Sequence, residues 1–245
     1  MIRIAHARAD EGGRYSGGAA GDQTGGEVTI TAWYNRPWTT IMRPKNAIVG
    51  AAIASVAEQI AASPHVGYDQ VERLTLWEEC ERIQWNIAML PLIHDCECDC
   101  SSLIAVICRF VGIEIPRNVW TGTLPYYLQA SGNFYSISGA ALSDPEQLLR
   151  GDILINDKHH AAVVLDTGIY ASVPVNYYAY VNVSDYLQVR ISPKVADNEM
   201  FSGGQSFRLP PGMMVHIVEE CNGWGRIDRT SGWVYLGYLE GRNEI

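Results

Sequence analysis

Asp99-Cys100-Ser101-Ser102 opens the apolar run 103–111, and this segment constrains the chain more than any other. An aspartate at such a start is a strong N-cap, because its carboxylate accepts hydrogen bonds from the free N–H groups of the first turn. Leu103, Ile104, Ile107 and Val111 recur at helical spacing on one face, with Phe110 beside them. Gly112 then stands where a helix C′ residue belongs. The pattern predicts a helix over 100–111 with a cysteine in its first turn. Such a helix must bury its apolar face against something. The run 151–165 offers a sheet: GDILIN and HAAVVL read as two strands of a hairpin joined by Asp157-Lys158-His159.

The rest of the chain fills in an α+β frame. Residues 3–9 and 27–34 alternate apolar and polar and read as strands, with a long Gly-rich loop between them. Asn46 is a good N-cap for a helix over 47–62, whose small residues predict close packing. A second helix is predicted over 70–90, ended by Pro91. Beyond about residue 177 only short strands and Gly/Pro turns remain. Residues 187–191, 213–219, 224–227 and 232–235 read as strands of a small barrel. The expected organisation is a helix-plus-antiparallel-sheet domain over 1–177 and an all-β barrel over 178–245.

Composition excludes several classes. With 245 residues, 47% of them hydrophobic, the chain can bury one large core or two small ones, and is neither disordered nor fibrous. No apolar stretch approaches the roughly 18 residues a membrane helix needs, so no membrane insertion is expected. MIRIAHARADEGG carries no apolar run of signal-peptide length. Synthesis in the cytoplasm without a signal peptide is therefore expected, with action after release. A net charge of −9 without a basic run argues against nucleic acid as a partner.

Six cysteines are too few for a disulfide scaffold, and Cys96, Cys98 and Cys100 crowd together after His94. Ligands on alternate residues rarely close a tetrahedron around one ion, and no second ligand pair with zinc-like spacing exists. No metal and no other cofactor is expected. Cys100 has a second reading. A helix start stabilises a thiolate through its free N–H groups and dipole, so this cysteine could be a nucleophile. A lone cysteine there is more often a buried structural residue, and its context must decide.

Two segments supply that context. Asp99-Cys100-Ser101-Ser102 before an apolar helix resembles the nucleophile motif of the NlpC-type cell-wall cysteine peptidases, which are papain-like. GDILINDKHHAAVVL resembles that family's next motif, in which a histidine opens the second strand; His160 holds that place. His159 falls in the turn and reads as a solvated neighbour. The resemblance implies that Cys100 attacks a peptide carbonyl and that His160 is its base. Gly67-Tyr68-Asp69-Gln70 also resembles a family element, in which a tyrosine borders the site near the oxyanion. Asp99 and Ser101 flank the nucleophile, and Trp120 is a candidate for lining the substrate groove.

The family's base is usually oriented by a polar residue on the following strand. After His160 the chain offers only Tyr170 on a short segment broken by Pro174. Residues 2–10 (IRIAHARAD) resemble the missing strand better, with His6 as the orienting residue. The stretch through WYNRPW resembles the segment after that residue in phage-encoded members. The resemblance thus implies a circularly permuted domain whose last strands stand first, a change tolerated where termini lie close together.

Residues 180–242 resemble a bacterial SH3-like domain, which implies a wall-binding module. The whole chain resembles a phage or prophage lysin. This resemblance implies a monomeric peptidoglycan hydrolase that cuts between γ-D-glutamate and the diamino acid. It would reach the wall after holin-type release or from a virion. An N-acetylmuramoyl-L-alanine amidase using the same pair, and an inactive wall-binding protein, are the alternatives.

Overall fold

The computed structural model describes residues 1–10, 12–21, 26–139, 142–168, 172–193, 200–202, 205–228, 230 and 232–244. The chain forms two compact units, Met1–Gly168 and Ile169–Ile245. The division falls earlier than the expected 177/178, because the strand Val173–Val181 runs through that point as one element of the second unit's sheet.

The first unit mixes α and β. Its strands are β1 (Arg3–Ala7), β2 (Val28–Ala32), β3 (Thr40–Pro44), β4 (Val66–Tyr68), β5 (Cys96–Cys98), β6 (Phe134–Ile137), β7 (Ile153–Asn156) and β8 (His160–Val164). Its α-helices are α1 (Ala47–Ala61), α2 (Thr75–Arg82), α3 (Cys100–Phe110) and α4 (Leu124–Ala130). Six strands make one sheet in the order β2-β1-β8-β7-β3-β6. β1 therefore lies between β2 and β8, antiparallel to both, and Ala5 pairs with Val163. A separate parallel pair, β4 with β5, sets Tyr68 opposite Cys98.

Alternation along the central strands divides the apolar residues between two cores. Ala5, Ile153, Ile155, Ala161 and Val163 join Ile53, Ile60, Leu103 and Ile107 of α1 and α3. Ile4, Leu154, Ala162 and Val164 join Trp38 in the other. His6 and His160 continue the second series, since strand residues two apart share a face.

Two local devices fix the frame. Asn46 caps α1 by accepting from the Ile48 amide at 2.8 Å. Gly151 has φ +91°, and a Cβ there would collide with the backbone of Gly50 in α1, so only glycine permits this approach. Arg43 of β3 makes a bidentate pair with Asp152 just before β7, at 2.9 and 2.7 Å, with both residues buried.

The helix expected over 70–90 is much shorter. α2 ends at Arg82; Gln84 and Trp85 take positive φ, and a 3₁₀ turn follows over Ile87–Leu92 with Pro91 inside it. The break lets Trp85 pack edge-on against Trp77 and Phe110, at 4.7 and 5.3 Å between centroids. Aromatic packing has overridden helical periodicity here.

The second unit carries a five-stranded antiparallel sheet. Its order is Trp233–Tyr235, Trp224–Ile227, Met214–Cys221, Val173–Val181, Leu239–Glu244. Its ends do not pair with each other among the described residues, so the expected barrel is an open sheet in its hydrogen bonding. Its core is built on Tyr177, Val189, Ile217 and Val234. No helix among the described residues is long and apolar enough to cross a membrane.

Candidate active site

Cys100 is the first residue of α3, and the sequence dictates that start. Asp99 Oδ1 accepts from the amides of Ser101 and Ser102 at 2.9 and 2.7 Å, while Ser102 Oγ accepts from the Asp99 amide at 2.9 Å. This reciprocal cap fixes the first turn. Ser101 Oγ donates to the same Asp99 oxygen, and Arg73 Nε approaches Asp99 Oδ2 at 3.2 Å. Asp99 and Ser101 are thus committed to holding the turn. Arg73 also donates to the carbonyl of Val119, tying in the segment before Trp120.

Cys100 is buried, 6% exposed, at the start of a helix that packs against β8, the strand carrying His160. Burial pushes the thiol up to about 12, the Asp99 charge adds to the shift, and the Ala161 amide and Arg73 oppose it. The thiol is neutral at rest. Burial and Asp99 outweigh the thiolate stabilisation that the helix start alone predicts.

His160 opens β8 opposite Asn156, and His6 lies on the adjacent β1. His6 Nδ1 is 2.8 Å from His160 Nε2, and Thr31 Oγ1 of β2 is 3.2 Å from His6 Nε2. Three neighbouring strands therefore present one chain of contacts: Thr31, His6, His160. Trp38 stacks on the His160 ring at 6.1 Å between centroids. Burial lowers His160 to about 4, helped by the charges of Arg36 and Arg8. His6, fully buried, is lowered to about 3 by burial first, then by His160 and the same two arginines. Both rings are neutral at pH 7. His160 makes no hydrogen bond to the Cys100 thiol in this state.

Tyr68 is buried at the end of β4, with its amide donating to Glu27 at 2.7 Å and its hydroxyl accepting from Gln70 at 3.1 Å. Burial raises its pKa, and the Cys100 charge adds to the shift. Tyr68 and His160 both line a cavity of about 740 Å³, within the range of small-molecule sites. Cys100 does not line it. His159 does, from an exposed turn. Trp120 is 45% exposed, lies outside this lining, and folds its ring over Gly122. Tyr170 falls outside the described residues.

Cys96 and Cys98 lie buried on β5, their thiols directed at the carbonyls of His65 and Gly67 at 3.6 and 3.9 Å. All six cysteines are free thiols. Sequence reasoning misses Thr31, Trp38, Arg8 and Arg36. The last three lie in or beside segments that carry the resemblance, 2–10 and WYNRPW, but the cross-strand geometry is needed to single them out.

The mixed α+β unit thus sets a cysteine at the start of a helix that packs against a strand carrying one of two hydrogen-bonded histidines. Residues 4–171 match the family model described as the endolysin-like domain, and the chain belongs to that family. Membership points to a lysin that acts on the bacterial cell wall. No curated protein and no solved structure matches the chain.

Proposed function

We propose that the chain is a cysteine peptidase of peptidoglycan, cutting the bond between γ-D-glutamate and the diamino acid of the stem peptide. The observation that carries this reading is the 2.8 Å contact between His6 and His160, on the strand against which the helix that Cys100 opens is packed. In the reading, Cys100 is the nucleophile, His160 the base and His6 the residue that orients it.

The hydrogen-bond chain supports one tautomer. Thr31 Oγ1 accepts from His6 Nε2–H, His6 Nδ1 accepts from His160 Nε2–H, and His160 Nδ1 keeps its lone pair. As the Cys100 sulfur attacks the carbonyl carbon, its proton passes to His160 Nδ1. The C–N bond then breaks and that proton leaves on the amine, giving a thioester and a free amino group. Water attacks the thioester with His160 taking its proton. The new carboxyl group departs, and the proton returns to the sulfur. The resting pair is neutral, so the proton moves during attack and no preformed ion pair is required. The Tyr68 hydroxyl, on the wall of the cavity that His160 lines, is suited to hold the oxyanion.

The position of β1 supports the permuted NlpC-type reading. The strand that flanks β8 comes from the start of the chain, where the sequence resemblance puts the transposed strand. The second unit, in this reading, is the SH3-like module that holds the enzyme on the wall. Muropeptides released from purified walls, analysed by mass spectrometry, test the assignment. The proposal expects new N-terminal diamino acid residues. New N-terminal L-alanine would make the chain an amidase, and no release beyond that of Cys100→Ala would leave it a wall-binding protein.

A further inference from the structure

The chain is acidic overall, with a net charge of −9, yet the wall of the cavity beside His160 is cationic. Arg8, Arg36 and Lys158 all line it. They come from three separate places: just after β1, after β2, and the β7–β8 turn. Among the described residues none of the three has an ion-pair partner. The one carboxylate in the lining among the described residues, Asp10, is already engaged, since it accepts from the Arg14 amide at 2.5 Å and pairs with the Arg14 guanidinium at 3.2 Å. Among the described residues the cavity therefore presents three cations and no free counter-charge.

We propose that Arg8, Arg36 and Lys158 form a carboxylate-recognising wall, which makes the site select stem-peptide segments whose D-glutamate keeps a free α-carboxylate and reject the corresponding carboxamides. The inference rests on the peptidase reading, because it names the substrate chemistry of that same site. A peptide seated with its carbonyl toward Cys100 and His160 extends into this cavity. There a γ-linked glutamate directs its α-carboxylate to one side of the cleaved bond. Guanidinium groups match a carboxylate in a planar, bidentate fashion, while the ammonium of Lys158 acts as a mobile point charge at the rim. A carboxamide has the same shape but no charge, and it brings N–H groups against three donors that have nothing to accept them. Discrimination then comes from mismatch as well as from lost attraction. Arg8 and Arg36 line this cavity together with His160, so their charge shares a wall with the proposed base.

The test uses two synthetic peptides, L-Ala-γ-D-Glu-diamino acid and its D-isoglutamine counterpart, which differ only in carboxylate against carboxamide. The native chain is compared with Arg36→Gln, Lys158→Glu and Arg8→Gln, each checked for an unchanged melting temperature. The native chain is expected to favour the carboxylate by about tenfold or more in kcat/KM, mostly through KM. Each variant is expected to lose rate on the carboxylate while holding its rate on the carboxamide, so that the ratio falls toward one. Lys158→Glu, on an exposed turn, keeps the test open if an arginine variant does not fold. Equal rates on both peptides by the native chain, or a preference that survives all three substitutions, would overturn the proposal and leave the peptidase reading standing. If the native chain cleaves neither peptide, binding of each to Cys100→Ala by calorimetry decides. Tighter binding of the carboxylate upholds the cationic wall while the peptidase reading fails, and equal or absent binding overturns the wall.

Discussion

Acidification from pH 7 to pH 5 should cost this fold about 4 kcal/mol, with the His6–His160 pair as the source. Both residues are buried, at 0% and 6% exposure, and both are held below the ordinary 6.5, at about 3 and about 4. A histidine lowered on folding takes up its proton more readily in the unfolded chain. Stability therefore rises with pH across the interval between the folded and unfolded values and falls as pH drops below 6.5. At pH 5 an unfolded histidine is almost fully protonated and neither folded ring is. The linkage is about 2 kcal/mol for each, against a total stability of roughly 5–15 kcal/mol for a typical domain. Ordinary carboxylates remain mostly ionised at pH 5, so the interval isolates the imidazoles. Urea unfolding at the two pH values measures the loss, and His6→Gln/His160→Gln is the comparison. The double variant starts less stable but should lose about 4 kcal/mol less than the native chain over the same interval. Equal losses in the two proteins would refute the assignment of neutral, desolvated rings.

The site and the buried ion pair give three further expected outcomes. The kcat/KM profile should stay flat from neutral pH down to about 5 and fall only as His160 protonates near 4; a midpoint at 6 to 7 would mean a solvated base. Arg43→Met, which strands the fully buried Asp152, should lower unfolding stability by about 3–5 kcal/mol, and Arg43→Met/Asp152→Leu should recover much of that loss in the same urea titration. Cys100→Ala should sediment with purified walls as the native chain does while releasing nothing; loss of sedimentation would tie wall binding to the cysteine and remove the second unit's assigned role.

The legible parts of this chain are those where one short segment determines its own structure. Asp99, Ser102 and the apolar spacing after them specify α3 locally, and Asn46 does the same for α1. The β7–β8 hairpin announces itself because its turn lies between two apolar runs. Where distant segments compete, local pattern fails. Trp85 leaves the helical path to pack on Trp77 and Phe110, and Phe110 lies outside any window over 70–90. A boundary near 177 cuts through a strand because Val173–Val181 contains Pro174, and its pairing with Met214–Cys221 is long-range. The same holds at the site. His6 can be singled out through resemblance to a motif, but Thr31, Trp38 and the cationic wall depend on which strands become neighbours. β3 and β6, central and edge members of the main sheet, are equally silent in the sequence, for some of their partners lie far along the chain.

Covalent catalysis at Cys100 is the central claim, and its acyl-enzyme intermediate offers the most direct test. Native protein mixed with a stem-peptide substrate and quenched in acid within the first turnovers is examined by intact-protein mass spectrometry and peptide mapping. The expected result is a thioester adduct carrying the acyl half of the substrate on Cys100, absent from Cys100→Ser and more persistent in His6→Ala, where the base that activates water is misoriented. Substrate cleavage by Cys100→Ser at the native rate, or an adduct mapping to Cys96 or Cys98, would contradict the claim.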